Sequence, residues 1–138
     1  MLDSTDRQIL SELSENGRMT MKELGEKVHL TGQAASDRVQ KLEENGIIEG
    51  YSIKVNQAKL GSVVHVLINV YTIDTHHEPY LSFMELQRKH IVKNYKISGD
   101  SCYIIEGRFP SNKTLDEFLI ALSKHVQYKL SMIINQQF

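Results

Sequence analysis

The chain is 138 residues long, 41% hydrophobic and 24% charged, with a formal net charge of −1, which suits one domain or two small ones. No apolar run approaches the ~20 residues of a membrane-spanning helix, and Met1-Leu2-Asp3-Ser4-Thr5-Asp6 lacks the basic start and apolar stretch of a secretory signal. The single cysteine, Cys102, excludes an internal disulfide framework and suits a reducing compartment, so a soluble cytoplasmic protein is expected. Residues 1–60 carry eight Lys/Arg and ten Asp/Glu, a balance of −2, and residues 61–138 carry eight and seven, a balance of +1. A polyanion-binding chain often shows a basic surplus. Here any such binding requires positive charge gathered on one face and multiplied by self-association.

The first third predicts three short helices. Asp3 can cap the first, with Ile9, Leu10 and Leu13 on its buried stripe and Asn16-Gly17 at its end. Thr20-Met21-Lys22-Glu23 has the form of a capping box, in which hydroxyl and carboxylate reciprocally satisfy free amide N–H groups. It opens a second helix with Leu24 and Val28 turned inward. Thr31 caps a third, where Ala35, Val39 and Leu42 follow i, i+4, i+7 spacing, and Asn45-Gly46 closes it. Residues 47–55 read as extended, and 56–61 as a linker or turn.

Beyond that point the hydrophobic period shifts from 3.6 towards 2. Strands are expected over residues 63–71, 91–98, 101–109 and 126–134, with helices over 76–89 and 111–124. In the second of these helices Leu115, Phe118, Leu119 and Leu122 keep helical spacing. The order βαββαβ is that of a ferredoxin-like split sheet with both helices on one face. The chain is therefore α+β: a winged or helix-turn-helix three-helix head (1–50), an extended strand and linker (51–62) and a ferredoxin-like domain (63–138). In the first strand Val64, Val66, Ile68 and Val70 would face the helices. Val63, Leu67 and Tyr71, mixed with His65 and Asn69, would lie on a face that no helix of the chain covers. A second subunit there is expected; an amphipathic sheet in a monomer is the alternative.

Residues 21–40 have the spacing of a helix-turn-helix. Gly25 supplies the small residue needed where the two helices cross, and His29 occupies the turn position that favours a left-handed backbone. Histidine tolerates that conformation better than most non-glycine residues. In such a motif the second helix enters the major groove with its N-terminal residues towards the bases. With Ala35, Val39 and Leu42 inward, the outward residues are Gln33, Ala34, Ser36, Asp37, Gln40 and Lys41. Gln33 would pair with adenine, Ser36 with several bases, and Asp37 with the cytosine amino group. Arg38 and Lys41 read as phosphate contacts. A plain solvated helix face is the competing reading of any one of these residues.

Several stretches together resemble the leucine-responsive/asparagine (Lrp/AsnC, feast/famine) family of transcriptional regulators. They are Leu2-Asp3-Ser4-Thr5-Asp6-Arg7-Gln8-Ile9-Leu10, Asn16-Gly17-Arg18-Met19-Thr20, Leu60-Gly61, and above all Arg38-Val39-Gln40-Lys41-Leu42-Glu43-Glu44-Asn45-Gly46-Ile47-Ile48-Glu49-Gly50-Tyr51. The resemblance spans essentially the whole chain. It implies double-stranded DNA as partner and homodimers through facing sheets, often assembled into tetramers or octamers. It also implies an amino-acid effector bound between subunits near the turn that here reads Ser98-Gly99-Asp100-Ser101-Cys102-Tyr103. On that comparison Gly99 admits a ligand to the backbone, Asp100 pairs with its ammonium, and Ser131 hydrogen-bonds its carboxylate. Cys102 stands where many relatives carry a second aspartate. Gly99-Asp100 also has the plain reading of a hairpin turn, with Cys102 a small buried hydrophobe. Gly32, where serine or proline is frequent, and Asp37, where basic or neutral residues are frequent, are further departures.

Nothing requires an enzyme or a cofactor. His76-His77-Glu78 points its side chains in different directions without a third ligand at suitable spacing. Cys102 has no evident partner histidine, and there is no phosphate-binding glycine loop or nucleophile elbow. The fold alone does not decide, since ferredoxin-like domains also host catalysts. The expectation is a DNA-binding transcriptional regulator, dimer-based and modulated by an amino acid. The alternatives are an effector-independent protein that bends or wraps DNA and a small-molecule-binding regulatory domain that does not bind DNA.

Overall fold

The computed structural model describes residues 1–138 and resolves into two compact units, Met1–Lys54 and Val55–Phe138. The first is a three-helix head of α1 (Ser4–Glu15), α2 (Met21–Val28) and α3 (Gly32–Glu44). Each start is set by a short polar side chain that accepts from an otherwise free amide. Asp3 accepts from Asp6 N–H at 2.8 Å, Thr20 from Glu23 at 3.1 Å and Thr31 from Ala34 at 3.1 Å. The full reciprocal box forms on α1, where the Asp6 carboxylate in turn accepts from the Asp3 amide at 3.2 Å. On α2, where the sequence motif suggested it, only the threonine half is made. A motif three residues apart permits the second bond without compelling it, because an exposed glutamate loses little by staying in water.

Ile9, Met19, Leu24, Val28, Ala35, Val39 and Leu42 form the core of the head, with Leu10 and Leu13 packed partly buried against it. Gly25 is buried at the crossing of α2 with the turn, and the Leu30 amide donates to its carbonyl at 2.8 Å. His29 takes the left-handed conformation foreseen for the turn, at φ 61° and ψ 42°.

Residues 47–55 form no strand, and neither do residues 51–57, so the head has no paired wing strand. An extended segment gains its ladder bonds only beside a partner edge, and no strand of this head offers one. Residues 58–60 make a single 3₁₀ turn closed by Gly61 at φ 92°.

The second unit runs β1 (Val64–Thr72), α4 (Glu78–Leu86), β2 (Ile91–Lys96), β3 (Tyr103–Phe109), α5 (Asn112–Leu122) and β4 (Val126–Met132). The sheet order is β2-β3-β1-β4 with every neighbouring pair antiparallel, the ferredoxin-like arrangement expected from the element order. The expected helix over 76–89 is shorter: Pro79 lies in its first turn, His77 makes no capping bond, and residues 88–90 tighten into a 3₁₀ turn. Val66, Ile68 and Val70 of β1 and Tyr103, Ile105 and Phe109 of β3 pack with Tyr80, Phe83, Leu115, Phe118 and Leu122 of the helices. Strand alternation places His65, Leu67, Asn69 and Tyr71, with Ile104, Glu106 and Arg108, on the opposite face. There the His65 Nε2 and Glu106 carboxylate meet at 2.6 Å, and Leu67 is 38% exposed. No helix is long and apolar enough to cross a membrane.

Candidate nucleic-acid interface

Helix α3 is built to present one polar face. Ala35, Val39 and Leu42 are buried at 0%, 5% and 3% exposure, which anchors the helix and fixes its rotation. Gln33, Asp37, Gln40 and Lys41 are consequently exposed, and Ala34 and Ser36 half-buried beside them. Thr31 caps the end that carries Gln33 and Ala34. Six of the seven residues expected to meet DNA thus share one solvent-facing surface.

Arg38 does not. Its guanidinium turns back across the head to Asp3, at 2.6 and 2.8 Å, and to Asp6 at 3.1 Å. Two carboxylates of α1's capping box thus hold the cation that the sequence suggests for a phosphate contact. The same bond to Arg38, reinforced by the Asp6 amide, lowers the Asp3 pKa below the ordinary 3.8. Arg38 therefore ties α3 to the start of α1. Lys41 is exposed and takes part in none of the chain's ion pairs, so its charge is available to a phosphate.

The polar face has internal order. Gln33 Nε2 donates to Asp37 Oδ1 at 2.9 Å, and Gln40 Nε2 to Glu44 Oε1 at 2.8 Å, both one helical turn apart. One residue was missed by sequence reasoning. Lys22 on α2 is exposed and unpaired, and its Cα lies 3.4 Å from the Cβ position of Gly32, so it flanks the start of α3. No periodic signal marks it, since the proximity depends on how the two helices cross.

The second candidate site is the β2–β3 turn. Gly99, at φ 135°, and Asp100 are exposed, with open space around the glycine. Ser101 is buried and donates to Asn69 Oδ1 at 3.2 Å, which fastens the turn to β1. Cys102 is half-buried, its sulfur 3.3 Å from Thr72 Oγ1. That bond, with the Thr72 backbone, lowers the thiol pKa below its ordinary 9.0. Thr72 Oγ1 also lies 3.3 Å from His77 Nε2, whose Nδ1 is 2.9 Å from the Tyr103 hydroxyl. Sequence reasoning found no partner histidine for Cys102; the structure connects one through Thr72. On β4, Ser131 stands opposite Leu67 of β1, and β1 lies between β4 and the strand that leaves the turn, so within one chain a strand separates Ser131 from Cys102. No three or more His, Cys, Asp or Glu side chains are grouped to hold a metal ion.

A helix-turn-helix head with an exposed polar α3 face, followed by a ferredoxin-like sheet, is an architecture of DNA-binding transcriptional regulators. Residues 2–49 match the family model described as winged helix-turn-helix DNA-binding. The chain is 54% identical over 136 residues to the HTH-type transcriptional regulator LrpA of Bacillus subtilis (strain 168), covering 99% of this chain and all of that one. It superimposes on the structure of B. subtilis LrpC with a TM-score of 0.92 at 29% identity, covering 99% and 96% of the two chains. A feast or famine regulatory protein from M. tuberculosis complexed with L-methionine aligns with a TM-score of 0.90 at 25% identity, over 100% and 95%. The chain belongs to the Lrp/AsnC family of transcriptional regulators.

Proposed function

We propose that this regulator binds pseudo-palindromic DNA as a homodimer and that an amino acid modulates the binding. The observation that carries the reading is the α3 face. Gln33, Ala34, Ser36, Asp37 and Gln40 are held outward by a buried anchor on a capped helix, the arrangement that reads base edges in the major groove. Lys41 and Lys22 contact phosphates and set the position of the helix without specifying sequence. The head is net acidic, so a single copy gains little from the polyanion. A dimer offering two recognition helices to half-sites one helical turn apart multiplies the contacts. The sheet face that bears Leu67, His65 and Glu106 is the surface for the second copy, and tetramers or octamers of the dimer extend the same logic.

The effector reading places the amino acid at the β2–β3 turn, with Gly99 and Asp100 beside its ammonium and Ser131, from a second subunit, near its carboxylate. The methionine complex of the M. tuberculosis relative supports the ligand class. No catalysis, metal or cofactor is needed, and the protein works in the cytoplasm. A second reading, binding without an effector, is favoured by one observation: Cys102 stands where a second acid would help hold an ammonium, and its thiol is engaged by Thr72.

The test is fluorescence anisotropy on DNA from upstream of the protein's own gene, at two salt concentrations, with and without mixed amino acids. Salt-sensitive binding that the mixture alters is expected. Binding indifferent to the mixture would leave the effector-independent reading, and absence of binding even at low salt would overturn the DNA reading.

A further inference from the structure

An aspartate on a groove-facing helix faces a polyphosphate, and its charge opposes binding. No cationic nitrogen lies within 4.0 Å of the Asp37 carboxylate. Its partner is Gln33, one turn earlier on α3, whose Nε2 lies 2.9 Å from Asp37 Oδ1. An ionised carboxylate only accepts hydrogen bonds, so the group turned towards it must be the NH₂ end of the glutamine amide. The rotation of that amide is thereby determined by chemistry. The carbonyl Oε1 and the second N–H of Nε2 are not used in that bond. One acceptor and one donor on the same amide are what a bidentate contact to adenine N6 and N7 requires.

We propose that Asp37 is a positioning residue which aims Gln33, so that the pair reads an adenine in each half-site. The inference rests on the DNA-binding reading above and deepens it. It assigns Asp37 no base of its own and replaces the expectation that this carboxylate accepts from cytosine. The pairing is local to the helix, between side chains four residues apart, so it is present before DNA arrives. A free glutamine side chain must give up several rotatable bonds on binding, whereas one already held loses less conformational entropy. The benefit of Asp37 is sequence discrimination, and its cost is weaker attraction to DNA of every sequence.

The experiment begins with selection from a randomised duplex library by the full chain. The selected site is then measured by anisotropy with the wild type, Gln33→Ala, Asp37→Ala and Asp37→Asn, and with one adenine replaced by 7-deazaadenine to delete its N7 acceptor. At one position per half-site the wild type should prefer A·T by about 5- to 150-fold. Asp37→Ala should lose most of that preference while binding random DNA more tightly, because a negative charge is gone. Asp37→Asn removes the same charge but keeps a carbonyl acceptor for Gln33, and should retain the preference. The 7-deaza substitution should weaken the wild type and leave Gln33→Ala unaffected. Asp37 is exposed, so circular dichroism of both of its variants should match the wild type. Asp37→Ala with the full wild-type preference would overturn the positioning role, as would a Gln33→Ala protein with unchanged preference. A wild type that enriches no sequence would overturn the recognition reading itself, and the pair with it.

Discussion

Gly25→Ala is the sharpest probe of how α2 and α3 are set against each other. A Cβ at this position would lie 2.5 Å from the Leu30 carbonyl oxygen and 3.0 Å from the Thr31 carbonyl carbon and oxygen. Ordinary C···O contacts are about 3.3–3.6 Å, so the turn must retreat by about 1 Å. What must yield is backbone. Leu30 donates its amide to the Gly25 carbonyl at 2.8 Å, and Thr31 is the cap of α3. Overpacking costs about 1–3 kcal/mol, and a contact this short against main chain falls in the upper part of that range, about 2–3 kcal/mol. Alanine returns about 0.8–1.0 kcal/mol of helix propensity, too little to offset a clash with main chain, and a net loss of about 1–2 kcal/mol follows. Native-state hydrogen exchange on the full chain should show the Leu24, Val28 and Val39 amides opening roughly 5–30 times more often. Ile68 and Ile105 in the sheet should be unchanged. Gly32→Ala is the control, because the nearest atom to its Cβ position is 3.4 Å away. Exchange in Gly25→Ala as slow as in the wild type, or slower, would mean that propensity outweighs sterics and would refute the reasoning.

Four further outcomes are expected. His29 sits at φ 61° without glycine's freedom, so His29→Val should destabilise the head by about 1–2 kcal/mol in urea unfolding, whereas His29→Gly should be neutral or mildly stabilising. Lys41→Ala should reduce the salt slope of DNA binding by about one, while Arg38→Ala should leave the slope unchanged and loosen α3. The Asp3–Arg38 tie holds the Asp3 pKa down when folded, so its contribution is complete above pH ~4, the unfolded carboxylate value. It fades only as the pH falls through the lower folded value, and the acid unfolding midpoint of Arg38→Ala should lie at higher pH than that of the wild type. Finally, Thr72→Val removes the bond that lowers the Cys102 pKa, so the midpoint of its thiol-labelling pH profile should move up.

Much of the fold was legible because its signals are local. A cap needs a hydroxyl or carboxylate within three residues of a free amide, as at Asp3, Thr20 and Thr31. Buried faces repeat with the period of the element, as Ala35, Val39 and Leu42 do on α3 and Val66, Ile68 and Val70 do on β1. The glycine at position 25 and the left-handed turn at His29 follow from the same short-range geometry, and so does the outward set from Gln33 to Lys41. Matters governed by groups far apart in the chain were not legible. Arg38 reads as a groove-facing cation until α1 arrives with Asp3 and Asp6, 35 and 32 positions earlier. Cys102 has no evident partner until strand pairing brings Thr72 beside it and the approach to α4 brings His77 beside Thr72. Residues 47–55 carry the composition of a strand, yet pairing is a property of two segments, and the head supplies no second one. Periodicity states which face of an element is buried; only the tertiary arrangement decides which charges that burial brings together.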